Sequence, residues 1–465
     1  MIPHTTARPA GMTRRGFLRA GSLTLGGLTM PDLFRIRASA NAKGVEPDTS
    51  VILLWLPGGP PHMEMYDLKP DAPSEYRGLF KPIPTVVPGL DVGELLPRHA
   101  VTADKFNIIR SVAHEFADHG GGHKRFLTGR FPAEPTGFVN DAPMVGSIVA
   151  KVREHRDVGV PNYVAGTDNG RSGIDVFSFG AAYLGLSPTP LMFAGDPSSP
   201  KFKVDELTLA PGVSERLGRR ARLLAEFDQL RREVDRDPTV EAFDTFDRRA
   251  LGLLLSDRAR DAFDLSKEDP RLRDRYGRHA YGQRALLARR LIEAGCSFVT
   301  MVLENPVPPG TPAPPGVIYN WDSHAVNGHI FDDARYRLPL YDQAVTALVE
   351  DLHARGLTKK VLLIVTGEFG RTPKLSYDKG RPGRDHWPNA MSMLVSGGGM
   401  TTGQVIGSTD RRGERPRDRP LTPNDLWATM YRHLGIDPDW TFPDRNGRPM
   451  PILPFGEPIR ELLPA

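Results

Sequence analysis

Four short apolar runs, each released into a loop rich in Gly, Pro, His or acidic residues, do most to constrain the fold of this chain. They are VILLWL (51–56), FNIIRSV (106–112), SFVTMVL (297–303) and VLLIV (361–365). A fifth and weaker run, Ser392–Val395, ends in Gly397-Gly398-Gly399. Continuous rather than alternating apolarity marks strands buried on both faces, which is the habit of parallel sheets. In open α/β sheets, ligands collect beyond the carboxyl ends of the strands. The loops beyond these runs are chemically rich. His62 comes after the first, and His114, His119 and His123 after the second. Asp322, His324 and His329 come after the third, and Glu368 and Arg371, then His386, after the fourth. The expected fold is therefore α/β, with a mostly parallel sheet between helices and a single crevice receiving these side chains.

Helical spacing fills the intervals. Arg284–Ala294 (RALLARRLIEA) is amphipathic and stops at Gly295, and Tyr336–Arg355 stops at Gly356. Val213–Asp235 is rich in Arg, Leu, Ala and Glu, and residues of about 205–282 carry many charges and few strand signals, so a helical insertion is expected there. Residues 305–316 (NPVPPGTPAPPG) form a Pro-rich loop too long for a simple turn, a candidate flap near the site. The organisation expected is a leader over residues 1–40 and a single domain over 41–465.

The leader is read from its order of features. Thr13-Arg14-Arg15-Gly16-Phe17-Leu18 fits a twin-arginine export motif, a weakly apolar stretch runs from Ala20 to Met30, and Ala38-Ser39-Ala40 fits a cleavage site. The partner expected for this segment is the twin-arginine export machinery, and the destination periplasmic or extracellular. The leader also explains the charge. Six arginines against Asp32 supply more than the whole formal net charge of +4, so the residues beyond 40 sit near −1. Nucleic acid is therefore not an expected partner, and no later stretch has the roughly 18 uninterrupted apolar residues of a membrane span. The single Cys296 excludes an intramolecular disulfide and lies in an apolar run, where it reads as a packing residue.

Of thirteen histidines, six (His62, His119, His123, His324, His329 and His386) sit in or near Gly-rich loops after strands. Asp322-Ser323-His324 and Asp385-His386 each place a carboxylate beside an imidazole. His119 and His123 are four apart, a spacing that shares one helix face, although Gly120–Gly122 argue for a loop. Imidazole with carboxylate suits zinc, manganese or iron better than calcium. The expected cofactor is a divalent metal, zinc or manganese in the first place, held by His119, His123, Asp322, His324 and His386. Asp118, Asp385 and Glu115 are candidate acceptors that would fix imidazole tautomers.

The words Gly58-Gly59-Pro60-Pro61-His62, Trp321-Asp322-Ser323-His324, Gly367-Glu368-Phe369-Gly370-Arg371-Thr372-Pro373, Gly383-Arg384-Asp385-His386-Trp387-Pro388 and Gly407-Ser408-Thr409-Asp410 resemble the family known as domain of unknown function 1501. That family is related to the alkaline phosphatase and sulfatase superfamily. The resemblance implies a mostly parallel sheet between helices with one or two metals at the strand ends. It implies a first metal held by Asp322, His324 and His386, with His329 as a substitute for His324. The stretch DHGGGHKRFLTGRFP (118–132) is similar to the sulfatase word C-x-P-S-R-x-x-L-L-T-G-R. Counting nine residues back from Thr128 puts His119 where the nucleophilic Cys stands, and His123 where that word has its Arg. Pro57-Gly58 occupies the place of the Asp expected after the first strand, and Phe369 the place of a His after Glu368. The usual second metal site is thus lost, unless His119, His123 and Glu368 rebuild it.

Two functions are compatible with these features. One is an exported metal-dependent hydrolase of phosphate or sulfate esters using a metal-bound water, with Glu368 and Arg371 as catalytic residues, Arg371 steadying an anionic oxygen. Its substrate would be an anionic small molecule or polysaccharide. The other is a binding or assembly protein that keeps the fold and a metal but does no chemistry.

Overall fold

The structure of the protein is a computed structural model that describes residues 48–156, 158–169, 178–204 and 256–463. The expected leader (1–40), the helix over Val213–Asp235 and most of the insertion at about 205–282 lie outside these residues. From Thr49 onward the chain forms one unit around an eight-stranded sheet. Its strands are β1 (Ser50–Trp55), β2 (Asn107–Val112), β3 (Tyr163–Thr167), β4 (Leu191–Ala194), β5 (Phe298–Val302), β6 (Val361–Thr366), β7 (Met391–Gly397) and β8 (Gln404–Ile406). Their order across the sheet is β8-β2-β7-β6-β1-β5-β3-β4.

The expected α/β architecture is present. β1 is central, running parallel to β5 (Trp55 opposite Val302) and to β6 (Trp55 opposite Thr366). All six of its residues are buried. Ile52 and Leu54 enter the core on one face, while Val51, Leu53 and Trp55 enter the core on the other. This is why the run is continuously apolar. β7 alone is antiparallel, to both β2 and β6. Its starting end therefore lies with the carboxyl ends of β1, β2, β5 and β6, and the residues that precede it join the loops beyond those strands. β3, β4 and β8 escaped the sequence reading. They are three to five residues long, and YVAGT and LMFA carry too little β-branched content to stand out.

Among the described residues, the helices that flank the sheet include α1 (His119–Thr128), α2 (Val145–Val152), α3 (Ala280–Glu293), α4 (Ile330–Ala354) and α5 (Pro423–Leu434). α3 begins four residues before the expected Arg284, because His279 caps it by accepting from Gly282 N–H. α4 begins six residues before the expected Tyr336, with Pro339 inside it. A proline interior to a helix forfeits one backbone bond. Here the buried face of Leu338, Tyr341, Val345 and Leu348 holds the helix on the core regardless. Cys296 is buried in that core, and burial pushes its thiol up to about 12, so it is an inert packing residue. Among the described residues no helix is long and apolar enough to cross a membrane.

Candidate metal centre

The loop expected at Gly120–Gly122 is instead the first turn of α1, and its cause is steric. Asp118 caps the helix, accepting from Gly120 and Gly121 N–H, so it does not orient an imidazole. Side chains have no room here. A Cβ on Gly120 would lie 2.3 Å from the carbonyl oxygen of Gly137, and one on Gly122 2.9 Å from the Phe369 ring. The glycines let the helix press against its neighbours and bring its first residue, His119, to the strand ends.

Four segments meet there. The loop after β1 packs its backbone on Trp321-Asp322, where Gly58 (φ +106°) would place a Cβ 2.4 Å from Asp322 N. Trp321 is held by its indole N–H on Leu303 O at the end of β5. His386 stands beside Arg371 through a two-residue antiparallel ladder. The focus is one atom, Asp322 Oδ1. Nε2 of His386 lies 3.1 Å from it, Nε2 of His324 3.2 Å and Nε2 of His119 3.4 Å. Arg371 Nη2 lies 2.5 Å from the same oxygen. The other oxygen, Oδ2, accepts from Asn327 Nδ2 at 2.9 Å. Three imidazole nitrogens and a guanidinium are more than one carboxylate oxygen can satisfy with good geometry.

The far nitrogen of each imidazole is anchored. Nδ1 of His386 donates to the Ala117 carbonyl at 2.6 Å, Nδ1 of His324 faces Asp385 Oδ1 at 2.6 Å, and Nδ1 of His119 faces Glu368 Oε1 at 2.9 Å. A carbonyl or carboxylate can only accept, so each neutral ring carries its proton on Nδ1 and turns the Nε2 lone pair toward Asp322. This is how metal-binding imidazoles are oriented by their surroundings. One candidate ligand atom each from His119, Asp322 and His386 lie within 4.8 Å of one another. The three imidazoles and Asp322 are part-exposed, with side-chain exposures of 16–28%, so the centre opens to solvent.

The electrostatics arise from this crowding. Burial raises the Asp322 carboxyl, but the hydrogen bonds from His119, His324 and His386 and the Arg371 charge outweigh it and hold it far below the carboxylate range. Burial lowers His119, yet its bonds to Asp322 and Glu368 prevail and lift it to about 9. His324 is raised chiefly by Asp322, while burial lowers His386. A bound cation would take the place of the protons that these rings otherwise hold between the carboxylates.

The remaining expected residues are placed differently. His123 is one helical turn from His119 and faces Glu368 Oε1 at 3.5 Å, walled by Trp55 and Phe138. No interaction joins it to Asp322 among the described residues. His329 is no substitute for His324, since it caps α4 by accepting from Asp332 N–H. His62 is fully buried against Gly413 O, and burial lowers it to about 4. His114 holds the Glu368 carbonyl at 2.6 Å, and Glu115 pairs with Arg125. Of the three carboxylates expected to fix tautomers, only Asp385 does so. The Pro-rich loop closes on the start of α4, where Gly316 O accepts from His329 N–H.

Arg371 is buried, and four of its five guanidinium N–H groups are taken within the protein. Nε donates to Gly59 O, Nη1 to Arg384 O, and Nη2 to Gly58 O as well as to Asp322. It faces the loop after β1 and not the open side of the centre, which departs from the expected contact with an anionic oxygen. Glu368 is fully buried too, accepting from Gly58 N–H at 2.8 Å. Charge and hydrogen bonds from His123 and His119 overcome its burial and hold its carboxyl well below the usual range. Sequence reasoning missed the Ala117 carbonyl and Asn327. The first is a backbone atom with no signature, and the second lies in the Asp322–His329 stretch without a pattern.

The sequence profile of the family described as protein of unknown function, DUF1501, matches residues 48–463. The chain belongs to this family. No curated protein matches its sequence. Among solved structures, it is similar to PsFucS1 sulfatase from Pseudoalteromonas sp., with 11% identity and a TM-score of 0.34 over 87% of this chain and 70% of that one. It is similar to the phosphonate monoester hydrolase SpPMH from Silicibacter pomeroyi, with 12% identity and a TM-score of 0.34 over 89% and 76%. It is also similar to the C-terminal periplasmic domain of EcEptC from Escherichia coli, solved in complex with Zn, with 12% identity and a TM-score of 0.34 over 85% and 84%.

Proposed function

We propose that this DUF1501 protein holds one divalent transition metal through His119, Asp322, His324 and His386, and hydrolyses phosphate or sulfate esters without a covalent intermediate. The reading rests on the three imidazoles that aim Nε2 at Asp322 Oδ1 while their Nδ1 atoms are anchored. Three imidazoles and a carboxylate suit zinc, manganese or iron. A cation bound there would supply Lewis acidity toward an ester oxygen and lower the pKa of a water. In this reading Glu368 and Asp385 orient His119 and His324. Arg371 positions Asp322 by tying it to the loop after β1. His119 stands where sulfatase-like sequences carry a nucleophile, but with Nδ1 protonated and Nε2 given to the metal it has no lone pair for attack. The twin-arginine leader adds export of the folded protein to the periplasm or beyond, and the substrate is an anionic ester, small or carried on a polysaccharide.

A second reading, a metal-holding binding protein without chemistry, is favoured by the burial of Arg371. Four of its five N–H groups are taken by Gly58, Gly59, Arg384 and Asp322. The deciding experiment strips the protein with chelator, restores zinc or manganese, and assays chromogenic phosphate and sulfate esters. Metal-dependent turnover that His324→Ala abolishes supports the hydrolase. Metal uptake without turnover favours the binding protein. Uptake itself is read from thermal unfolding, since a ligand at a hundredfold excess over its Kd stabilises by about 2.7 kcal/mol. An unchanged Tm with either metal would remove both readings.

A further inference from the structure

Two loops bring three of the four proposed ligands, and they touch where no side chain fits. A Cβ on Gly383 would lie 2.0 Å from Ala325 N and 2.6 Å from the carbonyl carbon of His324. The next residue joins the two loops through its main chain. Arg384 N–H donates to Ser323 O at 2.9 Å, between Asp322 and His324, and Arg384 O accepts from Arg371 at 3.2 Å. One residue further on is Asp385, which orients His324, and then His386 itself.

The side chain of Arg384 runs away from the metal centre into a fully buried socket. Its Nε lies 3.0 and 3.1 Å from the two oxygens of Glu64, and Nη2 2.7 Å from Oε1. Nη2 also donates to Tyr76 O at 2.9 Å, and Nη1 to Thr372 O and Pro373 O. Glu64 and Arg384 are each 0% exposed. Gly78 makes room for the carboxylate, because a Cβ there would come within 2.7 Å of Glu64 Oε1. A guanidinium fixed at so many points cannot rotate without breaking several charge-assisted bonds. The backbone that it carries is therefore fixed as well.

We propose that Glu64 is a positioning residue for the metal centre, acting through Arg384 to set where Asp385 and His386 stand relative to Asp322 and His324. This rests on the metal reading above. The competing explanation is that the pair serves fold stability alone, and a buried pair can be tested for that separately. Losing one partner strands a charge, whereas replacing both by apolar groups is often neutral or stabilising. The experiment uses the full-length protein, stripped of metal, as wild type, as Glu64→Gln and as Glu64→Leu with Arg384→Met. Thermal unfolding is measured without metal, and zinc or manganese is titrated calorimetrically. The single variant should unfold at lower temperature and bind metal at least tenfold more weakly. The double variant should recover the unfolding temperature but not the affinity. If the single variant does not fold, the double variant decides the matter alone. A double variant that binds within twofold of wild type would overturn the proposal. A wild type that takes up neither metal would overturn the metal reading itself, and this inference with it.

Discussion

Replacing Glu368 by Gln isolates the link between a buried carboxylate and the imidazole at position 119. Glu368 Oε1 accepts from Gly58 N–H at 2.8 Å and faces His119 Nδ1 at 2.9 Å, while Oε2 is buried with no hydrogen-bond partner among the described residues. A glutamine oxygen in the place of Oε1 keeps both bonds, and its amide nitrogen takes the position of the unpaired oxygen. The fold should therefore lose less than about 2 kcal/mol, the difference between charge-assisted and neutral hydrogen bonds. What disappears is the negative charge that draws the Nδ1 proton and makes Nε2 a better ligand. At 0% exposure that charge is little screened by solvent or salt. Changing such an acceptor costs roughly 10–100-fold in metal affinity, or about 1.4–2.8 kcal/mol. Competition against a chromogenic chelator near neutral pH measures it directly. Asp385→Asn should act in the same direction through His324 but more weakly, because Asp385 is 53% exposed and its charge is shielded by water. An unchanged Kd for Glu368→Gln, with the fold intact by circular dichroism, would show that His119 is not a ligand.

Gly120→Ala should destabilise the protein by about 1–3 kcal/mol, the usual cost of overpacking, because its Cβ would meet Gly137 O at 2.3 Å; chemical denaturation that finds wild-type stability would refute the close approach at the start of α1. His119→Ser should weaken metal binding without creating a covalent intermediate, since the Asp expected after the first strand is still absent; intact-mass spectrometry after exposure to a phosphate ester checks this, and a phosphorylated protein would contradict it. Lys at both Arg14 and Arg15 should leave unprocessed precursor inside the cell, seen by fractionation and blotting; normal processing of that variant would dispose of the export reading.

The sheet was legible where burial alone dictates sequence. β1, β2, β5 and β6 lie inside the sheet with apolar contacts on both faces, so their runs are continuous and their limits fall within a residue or so of those expected. Towards the margins the pattern fades. β3 carries Gly166, whose missing side chain admits the Phe193 ring and Met301 sulfur, a packing demand that reads in sequence as a turn. The same ambiguity misled at α1. Glycines that signal a loop by propensity are tolerated in a helix when neighbouring backbone leaves no space for a Cβ, and propensity has no knowledge of the neighbour.

At the centre, the side chains that converge were legible and the reasons they converge were not. Asp322, His324 and His386 stand out as short acidic-imidazole words after strands, but backbone atoms, which every residue type carries, also hold the centre: Ala117 O fixes His386, and Gly58 N fixes Glu368 beside His119. In the loop after β1, the amide of Gly58 donates to Glu368, while the carbonyls of Gly58 and Gly59 accept from Arg371. Glu368 thus accepts from a backbone amide and faces Nδ1 of His119 through the same oxygen. A hydroxyl at position 119 would leave Glu368 without the imidazole that it faces, so His119→Ser removes a proposed ligand and the partner of a buried carboxylate together.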